Sequence, residues 1–123
     1  MPVVRSTEPT VHRAHGARFA SYAATSTGST ELSAWRVELD AGITGVEHTV
    51  SREEVFLVLT GAPVLSLDGE PSVLGPGDTA VAPAGTRLRL DTTDGPATLW
   101  VTTSTGLTAT LPDGTVITPP WAA

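Results

Sequence analysis

The side chains that could do chemistry in this sequence are few. Its 123 residues include no cysteine, which excludes disulfides, thiolate nucleophiles, iron–sulfur clusters and cysteine-bound zinc. Imidazole chemistry is limited to three histidines, His12, His15 and His48. A histidine beside a carboxylate can act as a general base, and with further ligands it can hold a divalent metal. The residues spaced around each histidine therefore decide what chemistry is available.

The charge of the chain narrows its possible partners. It has 13 acidic and seven basic residues, all seven being arginine, for a formal net charge of −6. This balance disfavours binding to nucleic acid and to anionic membranes. The segment MPVVRSTEPT lacks the apolar core of a signal peptide, and no stretch is long and apolar enough to span a membrane. We expect a cytoplasmic protein that binds neither nucleic acid nor membrane.

Two glycine-anchored blocks carry the most regular spacing in the chain. The first, GITGVEHTVSREEVFLVLTG, begins at Gly42 and contains His48 and Glu54. The second, GDTAVAPAGTRLRLDT, begins at Gly77 and contains Leu88. Residues two apart on a strand share one face, so position 50 points to the same side as His48. We expect Glu54 to return on the next strand and position 88 to arrive on the opposite wall of a barrel.

These blocks resemble the two motifs of the cupin family, over a region from about Trp35 to Val101. The resemblance implies an all-β, single-domain double-stranded β-helix, or jelly-roll barrel. It implies a homodimer, because small members of the family are commonly dimers. It also implies a divalent metal inside the barrel, typically held by three histidines and one glutamate.

The sequence departs from that ligand set at two of four positions. Val50 and Leu88 stand where the family has its second and third histidines, so only His48 and Glu54 remain. Two protein ligands hold a metal weakly, and no cofactor is therefore expected. A site for Fe, Mn, Ni, Zn or Cu completed by another group is the alternative. His12 and His15 precede the barrel and could fold over its mouth, but surface positions are favoured for both.

An apolar lumen with one polar pair suggests a small, largely apolar ligand. His48 and Glu54 are the candidate catalytic pair, with the carboxylate expected to hydrogen-bond the imidazole. The alternative function is an isomerase-, cyclase- or oxygenase-like enzyme that uses this pair as acid and base or as metal ligands. A third possibility is a structural dimer with a filled barrel. The residues expected to line the lumen are Val50, Phe56, Val58, Leu88, Leu90 and Trp100.

Strand and turn signals position these residues. Turn residues, namely glycine, proline or an Asp-Gly pair, recur along residues 31–123. This spacing predicts about eight to ten short strands of a barrel in that range. The apolar run Val55–Leu59 predicts a strand buried on both faces. Asp68-Gly69 and Asp113-Gly114 predict hairpins.

The two ends of the chain carry weaker signals. Residues 1–30 are expected to form a leader with one possible strand, Arg18–Ala23. Val11–Ala23 is the candidate segment for exchange or strand augmentation across the dimer interface. At the other end, Pro119-Pro120-Trp121 is expected to anchor the tail by burying its indole.

Overall fold

The computed structural model describes residues 2–123. Two 3-10 turns, Thr25–Thr27 and Pro120–Ala122, are the helical elements among these residues, and neither is long and apolar enough to cross a membrane. The rest of the regular structure is strand. The strands are β1 (Thr10–Ala14), β2 (Ala17–Ala23), β3 (Leu32–Leu39), β4 (His48–Val50), β5 (Glu54–Thr60), β6 (Val64–Leu67), β7 (Glu70–Val73), β8 (Thr79–Ala82), β9 (Arg87–Asp91), β10 (Ala97–Ser104), β11 (Ala109–Thr110) and β12 (Val116–Ile117).

The strands form two six-stranded antiparallel sheets, which confirms the predicted all-β jelly-roll barrel. The first sheet has the order β1-β2-β3-β10-β5-β8, and the second has the order β12-β11-β4-β9-β6-β7. Consecutive strands repeatedly switch from one sheet to the other, as β4 and β5 do. Each sheet presents alternate residues to the other, so the period-two alternation of the sequence becomes one shared core.

The Asp-Gly turns close hairpins as predicted. Asp68 and Gly69 have positive φ angles of 50° and 84° and join β6 to β7. Asp113-Gly114 joins β11 to β12. Gly61, which ends the first block, has a φ of 83°, and a Cβ there would collide with the backbone oxygen of Pro96. This glycine is required by the turn and by the close approach of the next chain segment.

The core lies between the sheets and is almost entirely apolar. Trp35, Leu99 and Val101 contribute from the first sheet, and Val50 and Leu65 from the second. All five are at most 3% exposed. The cluster is completed by Ala17, Val37, Leu39, Phe56, Val58, Ala82, Leu88, Ala97, Leu107 and Ala122.

The leader contains two strands rather than the one that the sequence indicated, which helps raise the total to twelve. β1 pairs with β2, and β2 pairs with β3 of the same chain. The C-terminal turn packs against this segment, because the Trp121 ring stacks on Phe19 with centroids 3.7 Å apart. Ser33 Oγ donates to the backbone oxygen of Ala122 at 2.9 Å. The two ends of the described chain thus stabilise each other.

Candidate functional site

His48 begins β4, a three-residue strand of the second sheet. Its neighbour Val50 is fully buried, and alternation directs the half-buried imidazole to the same inner side. The Nδ1 atom lies 2.9 Å from the backbone oxygen of Val46. Because a carbonyl oxygen can only accept, Nδ1 carries the proton in this contact. In the neutral ring, Nε2 is then the nitrogen with a free lone pair.

Glu54 begins β5 of the first sheet and faces the core at 4% exposure. Its cross-strand neighbours are Thr103 on β10 and Ala82 on β8, both buried. The Thr103 hydroxyl donates to the backbone oxygen of Glu53 at 2.6 Å, so its proton is not donated to the Glu54 carboxyl. Burial raises the pKa of Glu54 from 4.5 to about 7, because desolvation penalises the charged form.

The structure places the two predicted catalytic residues on facing sheets. Neither a hydrogen bond nor an ion pair joins His48 and Glu54 within residues 2–123. His48 Nδ1 is bound to the backbone oxygen of Val46, which leaves only Nε2 for another partner. The expected placement of position 88 also needs correction. Leu88 lies directly beside His48 on β9 of the same sheet, and Glu54 is the residue on the facing sheet.

The residues present do not fit the four-ligand metal site of the cupin pattern. The backbone brings the required positions together, since His48 pairs with Leu88 and Val50 lies two residues along β4. Valine and leucine have no donor atom, however, which leaves one imidazole and one carboxyl on opposite sheets. No group of three or more His, Cys, Asp or Glu side chains that could hold a metal occurs within residues 2–123. His12 and His15 lie on and beside β1, outside this set.

Five of the six residues expected to line the lumen do lie between the sheets. Val50, Phe56, Val58 and Leu88 are buried, and Leu90 packs against them with partial exposure. Trp100 is on the other face of the first sheet, and its expected role in the lumen is corrected. It alternates with the buried Leu99 and Val101, pairs with Arg36 and Leu57, and lies 5.5 Å from the Tyr22 ring.

Two residues near the carboxyl were not identified from the sequence. Thr103 and Ala82 flank Glu54 across the strands, and they set how polar its surroundings are. Strand alternation in β10 was sufficient to orient Thr103 inward with Val101. The pairing of β5 with β8 could not be predicted from the sequence alone. The two strands are separated along the chain by β6 and β7, which belong to the second sheet.

An open groove lies away from the barrel interior. It has a volume of about 650 Å³ and lies at the end of the first sheet, where β1 turns into β2. A second cavity of about 240 Å³ lies beside the leader, around Val4 and Tyr22. The larger groove is lined by Arg13, Ala14, His15, Gly16, Ala17, Arg18, Glu38, Leu39, Asp40, Pro96, Ala97 and Thr98.

Comparison with solved structures places this architecture among known barrels. An RmlC-like cupin from Shewanella frigidimarina is 20% identical with a TM-score of 0.72, covering 83% of this chain and 88% of its own. KdgF from Halomonas sp. is 24% identical with a TM-score of 0.74, covering 85% and 93%. The polyketide cyclase RemF from Streptomyces resistomycificus is 20% identical with a TM-score of 0.75, covering 85% and 79%. At these identities the likeness concerns the fold alone.

No curated protein sequence matches the chain. A family model does match it, and this match agrees with the structural comparisons. The family model described as the cupin domain matches residues 35–103, which is more than half of the chain and includes both glycine-anchored blocks. This stretch begins in β3 and ends in β10, and it contains the strands that position His48, Glu54 and Leu88. The protein is therefore a member of the cupin family.

Proposed function

We propose that the barrel binds a small, largely apolar molecule between its sheets, with the Glu54 carboxyl as its main polar contact and without the family's metal. One observation carries this proposal. Glu54 is 4% exposed, and no side-chain hydrogen bond or ion pair is found for it in the described chain. Among the described residues, the Glu54 oxygens are not fully enclosed atoms that lack a hydrogen bond, so a bound molecule can reach them. A ligand that hydrogen-bonds this carboxyl adds a contact that the protein's own side chains do not provide.

The chemistry of the interior restricts the ligand class. At neutral pH a large fraction of Glu54 is protonated, because its pKa is raised to about 7 by burial. It can then donate a hydrogen bond to a carbonyl or hydroxyl oxygen. Within residues 2–123 no arginine is buried, and Arg36, Arg87 and Arg89 form ion pairs on the outer faces. An anionic ligand would be buried without a counter-charge, so we expect an uncharged ligand rather than an anionic one.

Methyl-resolved NMR tests this binding directly. The protein is titrated with mixtures of uncharged monocyclic phenols, alcohols and ketones. We expect shifts in the methyl resonances of Val50, Val58 and Leu88, which are at most 3% exposed. The methyl groups of Val73 and Val116, which are 73% and 61% exposed, provide the internal control. They should not move.

Variants connect the binding to the proposed contact. Glu54→Ala should weaken binding of any compound that shifts the interior methyl groups. Glu53→Ala, which changes the exposed neighbour, should leave binding unchanged. If no compound moves the interior resonances, or if Glu54→Ala binds as well as wild type, the proposal is wrong. A filled, purely structural barrel would then be favoured.

The pKa of Glu54 supports a second candidate function. A carboxyl with a pKa near 7 is suited to general acid–base catalysis at neutral pH, with His48 Nε2 as the second group. An isomerase- or cyclase-like reaction is the corresponding activity. Conversion of a bound compound, followed in the same NMR samples, tests it. Glu54→Gln should then abolish conversion while some binding remains.

Two further expectations accompany this proposal and rest on the sequence. A chain with net charge −6 is expected to act on a small molecule rather than on nucleic acid or a membrane. Its location is expected to be the cytoplasm, which fractionation of the cells that express it would test.

A further inference from the structure

Three of the seven arginines gather on the first sheet around a single carboxylate. Arg18 on β2 pairs across the strands with Glu38 on β3, and its Nη1 atom lies 3.2 Å from Glu38 Oε2. Arg36 on β3 places its Nε atom 3.2 Å from Glu38 Oε1. Each oxygen of this carboxylate is therefore already paired with one guanidinium group.

The third arginine, Arg13, has no carboxylate of its own. It lies on edge strand β1, directly opposite Arg18. Its side chain is exposed, and it forms no ion pair within residues 2–123. Like charges directly opposite each other on antiparallel strands repel, which destabilises the pairing. Since Glu38 is already shared by two arginines, the repulsion between Arg13 and Arg18 is only partly offset.

The open groove of about 650 Å³ is lined by both members of this arginine pair. Pockets for small ligands usually have volumes of about 300–1,000 Å³, so the groove has room for one. The turn that joins β1 to β2 also lines it, and His15 and Gly16 in this turn have positive φ angles of 51° and 76°. The remaining polar side chains of the lining are Glu38, Asp40 and Thr98.

The charge around the groove is positive, although the chain as a whole carries −6. Arg13, Arg18 and Arg36 contribute three positive charges, whereas Glu38 and Asp40 contribute two negative ones. An acidic chain repels anions over most of its surface. An anion that does bind is therefore expected where arginines are in excess.

We propose that this groove binds a small molecule through its carboxylate or phosphate group, which Arg13 and Arg18 contact together. Directly opposite residues of antiparallel strands have Cβ atoms about 4.5–5.5 Å apart, so one anion can reach both side chains. The planar guanidinium group has paired N–H donors that match two oxygens of a carboxylate or a phosphate. The bound group supplies the negative charge that Arg13 lacks and relieves its repulsion from Arg18.

This groove is separate from the barrel interior. Thr98 lines it near the start of β10, whereas Glu54 pairs with Thr103 near the other end of that strand. The strand between these two threonines is about 17 Å long. Arg18 also points away from the core, because it alternates with the buried Ala17. Binding in the groove is therefore independent of the ligand proposed for the interior, and the two proposals fail separately.

Titration of the full chain, followed by the backbone amide resonances in NMR, tests the proposal. Sodium phosphate and sodium succinate are added in separate experiments, with pH and ionic strength held constant by buffer and NaCl. We expect saturable shifts of the His15, Gly16 and Asp40 amides with at least one of the two anions. Tighter binding of succinate would identify a carboxylate ligand, and tighter binding of phosphate would identify a phosphate ligand.

Two charge-removing variants test whether the arginine pair is the binding group. Arg13→Gln should raise the dissociation constant by about tenfold or more, because it removes a charge-assisted contact. Arg52→Gln is the matched control, since it removes the same charge from an exposed arginine between β4 and β5. This control should change the dissociation constant by less than about twofold, because salt screens a distant charge.

A third variant should change the affinity in the opposite direction. Glu38→Gln removes the carboxylate that competes for Arg18 and Arg36, at a side chain that is 38% exposed. It should lower the dissociation constant by about threefold or more. Damage to the fold would weaken binding, so it cannot produce this result. The proposal is overturned if neither anion gives saturable shifts, if Arg13→Gln and Arg52→Gln have equal effects, or if Glu38→Gln binds no more tightly than wild type.

Discussion

Glu54 couples the stability of this barrel to pH. Its carboxyl is buried among apolar side chains, and desolvation raises its pKa to about 7. In the unfolded chain the same carboxyl is exposed to water and titrates near 4.5. Between these two values the folded state keeps a proton that the unfolded state has lost. The free energy of unfolding must therefore fall as pH rises through this window.

We predict that Glu54→Gln removes this dependence. In wild type, the Glu54 contribution is fully present below pH 4.5 and is lost as pH rises to about 7, where it levels off. The difference amounts to about 3 kcal/mol. A glutamine has the same shape and does not titrate. Urea unfolding at pH 5 and pH 8 should thus show a smaller loss of stability for the variant.

Other carboxyl groups titrate in the same range, so the comparison needs a matched control. Glu53→Gln makes the same change one residue earlier, on an exposed side chain. It should keep the pH dependence of wild type. Equal slopes for wild type and Glu54→Gln would mean that the carboxyl is hydrated in the folded protein, which contradicts its burial between the sheets.

At the scale of strands, the short connection between β4 and β5 determines the site. Strand parity could be predicted from the sequence, and it correctly placed Val50 beside His48 and Phe56 beside Glu54 on inner faces. The same alternation in β10 indicates that Trp100 faces outward, because its neighbours Leu99 and Val101 are apolar and face inward. Parity does not say which sheet a strand joins. That depends on long-range pairing, and for this reason position 88 was expected on the opposite wall although Leu88 pairs with His48 in the same sheet.

The register of β4 and β9 predicts that a metal site can be restored. Val50→His combined with Leu88→His would put two imidazoles beside His48, because Leu88 pairs with His48 and Val50 shares its face. With Glu54 on the facing sheet, the set has four donors. We expect the double variant to bind Zn²⁺ or Ni²⁺ in calorimetry far more tightly than wild type. Without metal it should be destabilised, by about 1–3 kcal/mol per buried imidazole.

A second double variant, which also adds two histidines, tests whether their position rather than their number determines metal affinity. Thr49→His with Arg87→His places a cross-strand pair on the outer face, where Thr49 pairs with Arg87. This variant lacks the contribution of His48 and Glu54 and should bind metal more weakly. Equal affinity of the two double variants would show that the inner positions do not converge.

At the scale of the whole molecule, the C-terminal turn holds the leader strands to the barrel. The Trp121 ring stacks on Phe19 of β2 with an interplanar angle of 7°. Trp121→Ala removes this stack and part of the apolar core, and should lower the free energy of unfolding by about 2 kcal/mol. Urea unfolding measures this. Val116→Ala, at a position 61% exposed, should change it by less than about 0.5 kcal/mol.

A smaller effect of Trp121→Ala, equal to that of the control, would mean that the turn is not docked in solution.

The sequence indicated the role of the indole, because an aromatic residue follows two prolines near the end of the chain. It could not indicate the partner, since Phe19 lies about a hundred residues earlier and meets Trp121 only when the sheets close. Burial of the tail was thus predictable and its contact was not.

The electron density between His48 and Glu54, in crystals of protein purified without an affinity tag, tests metal-free ligand binding most directly. We predict density for a small organic molecule within hydrogen-bonding distance of the Glu54 carboxyl, and no anomalous signal of a metal at that place. An anomalous peak coordinated by His48 and Glu54 would contradict the proposal. An interior filled by the protein's own side chains would contradict it equally.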